Sequence, residues 1–92
     1  MNTMYIGMND KDLHKQVLDK AVFFAAIARE LESVTIFEAI GYYKGERENS
    51  LKLEIFGMSH EELVTIARKL CIDLNQECII VDGEFVNHPA AA

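Results

Sequence analysis

The chain predicts an α+β fold in which strands and helices follow one another as βαββαβ. Three observations carry this. "SLKLEIF", Ser50 to Phe56, alternates with period 2 without exception. Ser59 and Glu62 stand at capping-box spacing and open an apolar stripe of helical period. Short strand-like apolar runs, "TMYIGM" and "ECIIVDG", bracket the rest.

Each element follows from its residues. Met4, Ile6 and Met8 fall on one side of the first strand and Tyr5 on the other, with an end near Gly7. "NDKD" supplies turn formers and a helix cap at Asp10 or Asp12. Val17, Ala21, Phe24, Ala28 and Leu31 recur at helical spacing and predict the buried face of the first helix. Phe23 and Ile27 lie outside that stripe, either as a wide core face or as a subunit contact. Val34, Ile36, Ile40 and Tyr42 alternate with Thr35, Phe37, Ala39 and Tyr43, a strand apolar on both sides. Gly45 and the charged residues after it form the turn, and Leu51, Leu53 and Ile55 oppose Lys52, Glu54 and Phe56 in the strand beyond. Leu63, Ala67, Leu70 and Leu74 continue the second helix, and "ECIIVDG" closes the chain as a final strand with a turn at Asp82-Gly83.

Two helices on one face of a four-stranded antiparallel sheet let every element bury its apolar side, which is the ferredoxin-like sandwich. Residues 1–86 form the single domain, and "NHPAAA" from residue 87 to 92 reads as a disordered tail or expression remnant. The uncovered sheet face would receive Phe37, Tyr43 and Phe56, and a row of exposed aromatics predicts a homo-oligomer, at least a dimer.

Composition bounds the function. The 92 residues suit one domain, and 50% hydrophobic with 26% charged residues is the balance of a soluble protein. The net charge of −6 and the absence of a basic cluster argue against nucleic acid as a partner, while leaving room for a small anion held by local donors. The longest apolar stretch, Ala21 to Ala28, is too short to span a bilayer, and no secretory leader precedes the first strand. The expected address is therefore the cytoplasm. Cys71 and Cys78 are read as reduced structural thiols.

The residues that carry chemistry are few. His14, His60 and His88 are scattered without a metal spacing, so no metal or other cofactor is expected. Glu46/Glu48 reads as a solvated turn and Glu61/Glu62 as helix capping, which leaves no catalytic residue to name. What remains is the polar stretch Lys44, Arg47, Asn49 and Ser50 beside Tyr42 and Tyr43, with the amides of "LNQE" at Leu74 to Glu77. It is either a hydrated hairpin tip or one wall of a nucleotide site, with Tyr43 for a base, Arg47 for phosphate and Asn49 for ribose oxygens.

Gly41-x-Tyr43-x-Gly45, the series Glu48 to Ile55, and Leu74 to Val81 resemble two groups. One is a family of small bacterial proteins of unassigned function. The other is the phage anti-Thoeris sponge proteins, whose N-terminal strand and loop "YIGMNDKDLHKQ", Tyr5 to Gln16, is also similar. The second resemblance implies a non-enzymatic role, the sequestration of a cyclic ADP-ribose signal by an oligomer that antagonises bacterial antiphage immunity. Its ligand-binding candidates here are Tyr43, Arg47, Asn49 and Arg68. The alternative is a small ferredoxin-like dimer whose sheet-face pocket serves an enzyme or a small-molecule sensor.

Overall fold

A computed structural model describes residues 1–90. The chain runs β1 (Asn2–Gly7), α1 (Lys20–Glu30), β2 (Val34–Tyr43), β3 (Glu46–Ile55), α2 (His60–Leu74), β4 (Cys78–Val81) and β5 (Glu84–Asn87). The strands form one sheet in the order β2-β3-β1-β4-β5, and every neighbouring pair is antiparallel. The first four strands and both helices keep the order expected from the sequence. The sheet has five strands rather than four.

The fifth strand corrects the reading of the C-terminus. Asp82 and Gly83 have φ of 48° and 82°, the pair of left-handed residues that a two-residue hairpin turn requires. The chain therefore folds straight back on β4, pairing Ile79 with Val86 and Cys78 with Asn87. His88 N–H donates to the Glu77 carbonyl at 2.8 Å, so the ladder continues into the segment read as a tail. Residues 91–92 of that segment lie outside the described residues.

One face of the sheet and both helices enclose a single core. Met4 and Ile6 of β1, Leu51, Leu53 and Ile55 of β3, Ile79 and Val81 of β4 and Val86 of β5 meet Phe23, Ala26 and Ile27 of α1 and Leu63, Ala67, Leu70 and Leu74 of α2. The strand residues are the alternate positions that the period of 2 singles out. In α2 the expected stripe is the buried one, and Ser59 closes a full capping box with Glu62. Asn75 ends the helix at φ 49°, in the left-handed conformation that suits it there.

In α1 only part of the expected stripe faces the core: Leu31 is buried and Phe24 packs against the core half-buried, but the other three positions do not. Val17 precedes the helix and is exposed, and Ala21 and Ala28 face solvent, whereas Phe23, Ala26 and Ile27 are buried. Phe23 and Ile27 lie one turn apart, and burying a Phe and an Ile removes far more apolar area from water than burying two alanines. The larger side chains set the helix phase, and the excess surface of Phe23 and Ile27 is core. Asp10 and Asp12 do not cap this helix. Its cap position is Asp19, whose side chain makes no capping bond.

Candidate functional site

The hairpin that joins β2 to β3 is tighter than its sequence suggests. Its turn is Lys44-Gly45 alone, with φ of 51° and 81°. Tyr43 pairs with Glu46, Tyr42 with Arg47, Gly41 with Glu48 and Ile40 with Asn49, so the charged run lies in the strand and not in a loop. Cross-strand partners share a face of the sheet. Tyr43, Glu46 and Glu48 therefore point to the open face, while Tyr42, Arg47 and Asn49 point to the helix side.

This pairing separates the residues expected to act together. Tyr43 is on the open face and Arg47 on the other. Asn49 bonds the Gln16 side chain at 2.9 Å, against the loop before α1. Arg68 is exposed on α2, in the helix layer. The pleat is the reason: a spacing of "within seven residues" in sequence says nothing about which side of a strand a side chain leaves from.

The open face carries a different site. A cavity of about 240 Å³ sits where β1 ends, β3 begins and β4 begins. Its floor includes Tyr5, Gly7, Gly41 and Ser50, with Tyr43 and Cys78 to one side. Asn9, Asp10, Lys11 and His14 form a wall from the loop after β1, and Gln76 and Glu77 lead into β4 on the far side.

The wall is held by a small network. Asp10 accepts from the backbone N–H of Asp12 and Leu13 at 3.0 Å each and from the Asn75 side chain at 2.9 Å. The same Asn75 amide reaches Asp12 at 3.0 Å, and Lys11 N–H donates to the Asn75 carbonyl at 2.8 Å. The loop is thereby pinned to the C-terminus of α2, and the Asn75 bond holds the Asp10 and Asp12 carboxyls below the usual carboxylate range. Opposite, Lys44 pairs with Glu77 at 2.9 Å and lies over the Tyr43 ring, tying the hairpin tip to the start of β4.

Glu48 lies at the centre of the cavity's chemistry. Its carboxylate accepts the Asn9 N–H at 3.1 Å. Burial raises its pKa most, the neighbouring Glu46 raises it further, and the Asn9 bond partly opposes them. Burial also holds the Tyr43 phenol well above its ordinary value and pushes the Cys78 thiol up. Cys78 stays a neutral thiol beside the cavity and is no ready nucleophile. Both cysteines are free, and burial pushes Cys71 up to about 12.

The sequence reading placed Glu46 and Glu48 in a solvated turn, and so missed Glu48. Two signals pointed to it. It sits in the strict alternation with Ser50 and Lys52 on the open face, and it stands between glycines once register is known: Gly41 pairs with it, and Gly7 pairs with Ser50 next to it.

No protein-family model matches the chain, and no curated protein matches it at a significant level. In structure it is similar to a phage SAM lyase solved in its apo state, with a TM-score of 0.60 and 24% identity over 91% of this chain and 81% of that one. At that identity the likeness shows the fold.

Proposed function

We propose that the chain is an enzyme of sulfonium chemistry: its open-face cavity binds S-adenosylmethionine and promotes the breaking of one of its carbon–sulfur bonds. The observation that carries this is the charge of the cavity. Asp10, Glu46, Glu48 and Glu77 surround it against Lys11 and His14, Lys44 is already paired with Glu77, and Arg47 is turned to the other face. A diphosphate would meet carboxylates there with little to offset them, whereas a ligand carrying a sulfonium and an ammonium gains from each. Among such cations the adenosyl sulfonium is favoured by the tyrosines Tyr5 and Tyr43, which offer flat surfaces to a base. The likeness in fold to a SAM lyase supports the same choice.

Glu48 is the residue assigned to anchor the cation, because its carboxylate is half-buried against the cavity floor and held by one backbone donor. In the reaction the bond from sulfur to the ligand's amino-acid carbon breaks with both electrons passing to sulfur, so a neutral thioether departs, while an oxygen of the ligand's own carboxylate bonds to the carbon that sulfur leaves and closes a lactone. That leaving group needs no protonation. The protein's part is to hold the flexible cation with its carboxylate turned toward that carbon and to shield it from water, in the cytoplasm.

A second proposal for the same chain is the sequestration of a cyclic ADP-ribose signal without cleavage, favoured by the same tyrosines, since both ligands carry adenine. The two separate in one experiment. Purified protein is incubated with S-adenosylmethionine and followed by mass spectrometry, and in parallel titrated with cyclic ADP-ribose isomers by calorimetry. Loss of the sulfonium with release of a thioether is expected, and the mass of that thioether identifies the bond broken. Glu48→Gln should lower turnover at low substrate about 10- to 150-fold, the loss of a charge-assisted contact of about 1.5–3 kcal/mol. Sulfonium recovered intact after the incubation would overturn the enzyme reading. A cyclic ADP-ribose bound below about 10 μM and recovered intact would favour sequestration.

A further inference from the structure

Glu48 is not simply near the end of β1; β1 is shaped around it. A Cβ added to Gly7 would fall inside the Glu48 carboxylate, in hard overlap with Oε1, Oε2 and Cδ together. Gly7 is not among the residues with positive φ, so its backbone is one that alanine accepts. What requires glycine there is the carboxylate lying against the strand. One residue past Met8, whose N–H joins the ladder through the Asn49 carbonyl at 2.9 Å, the Asn9 N–H turns to the Glu48 side chain. On the other side of Glu48, Gly41 is its strand partner and adds no side chain. The Ser50 hydroxyl, next along the same face, is engaged by the Ile6 carbonyl at 3.2 Å and does not compete for the carboxylate.

We propose that Gly7 and the Asn9 N–H together form a seat that fixes the Glu48 carboxylate in the cavity, which makes Gly7 a positioning residue of the site. This rests on the reading of Glu48 as the cation anchor. The seat matters because a free glutamate side chain samples several rotamers and loses that freedom when it binds, and a carboxylate already fixed at the floor spares the ligand that cost.

Gly7→Ala tests it with little risk to the fold. The overlapping atoms are the end of a flexible side chain, so the carboxylate is displaced rather than the backbone. Three readouts are taken on Gly7→Ala, Glu48→Gln and the double variant. Circular dichroism and urea midpoints should stay close to those of the parent. The Asn9 amide proton, shifted downfield in the parent by its bond to a carboxylate, should move upfield in Gly7→Ala as it does in Glu48→Gln. The affinity for S-adenosylmethionine should fall about 10-fold or more in Gly7→Ala, with the double variant no worse than Glu48→Gln alone, because both changes remove one interaction. An unmoved Asn9 resonance in Gly7→Ala, or additive losses in the double variant, would overturn the seat. If the parent does not bind S-adenosylmethionine at all, the proposed function fails, while the Asn9 resonance still decides the seat.

Discussion

At the scale of single residues, size outranks spacing in α1. Val17, Ala21 and Ala28 keep a helical rhythm yet face solvent or precede the helix, and Phe23 and Ile27 take the core. The consequence is measurable. Phe23→Ala should cost about 3–5 kcal/mol in urea unfolding, the range for truncating a buried aromatic. Val17→Ala should stay within about 0.5 kcal/mol, as expected for an exposed site. Equal costs at the two positions would mean that α1 sits in the phase its periodicity first implies. The same principle explains Glu48. A carboxylate that looks like one of many in an acidic hairpin is distinguished by what its neighbours lack, the side chains at Gly7 and Gly41.

At the scale of elements, the β4–β5 hairpin is held to α2 and β1 by a charged clamp. His60, the first residue of α2, contacts Asp82 at 2.9 Å through Nδ1 and Glu84 at 2.7 Å through Nε2. Asp82 also accepts from the Asn2 side chain at 2.7 Å and from Thr3 N–H at 2.9 Å. These bonds, with Asn2 contributing most and His60 next, hold the Asp82 carboxyl down at about 2. Asp82 first and Glu84 second raise His60 above its ordinary value. The signs follow from linkage. A raised histidine stabilises the fold fully below its unfolded value of about 6.5, and that contribution is lost as pH rises through the folded value. A depressed aspartate contributes fully above about 4, and loses its contribution as pH falls toward 2. The urea midpoint of the parent relative to His60→Ala should therefore be greatest between about pH 4 and 6.5 and shrink above it. A difference that grows from pH 6.5 to 8.5 would show that His60 is neutral in the clamp.

At the scale of the whole molecule, the face opposite the helices is uncovered. Strand register aligns Phe37, Lys52, Tyr5, Ile80 and Phe85 into one row across all five strands, and Phe37, Tyr5 and Phe85 are all exposed. No helix of the described residues is long and apolar enough to cross a membrane. The cavity beside this row, about 240 Å³, is slightly smaller than the usual range for a ligand site. We expect a second copy to cover the row, giving at least a dimer. Sedimentation equilibrium at micromolar concentration tests this: a mass of one chain for the parent would end it. Because Phe37 is 44% exposed in the single chain, Phe37→Asp should keep the fold while lowering the oligomer's mass toward one chain.

By itself the sequence determined the elements and much of the core. The alternation of Leu51, Leu53 and Ile55, the capping box at Ser59 and the stripe from Leu63 to Leu74 are local properties, and each is present as read. The site was not legible, for a physical reason. Which face a strand residue occupies depends on the register of its partner, so Tyr43 and Arg47 look like neighbours in the chain and leave the sheet on opposite sides. The seat of Glu48 combines β1, β3 and the loop that Asn75 pins from the end of α2, segments that meet only through long-range pairing. The fifth strand belongs to the same class. Asp82-Gly83 announces a turn, but only the open edge of β4 decides that Glu84 to Asn87 will pair with it.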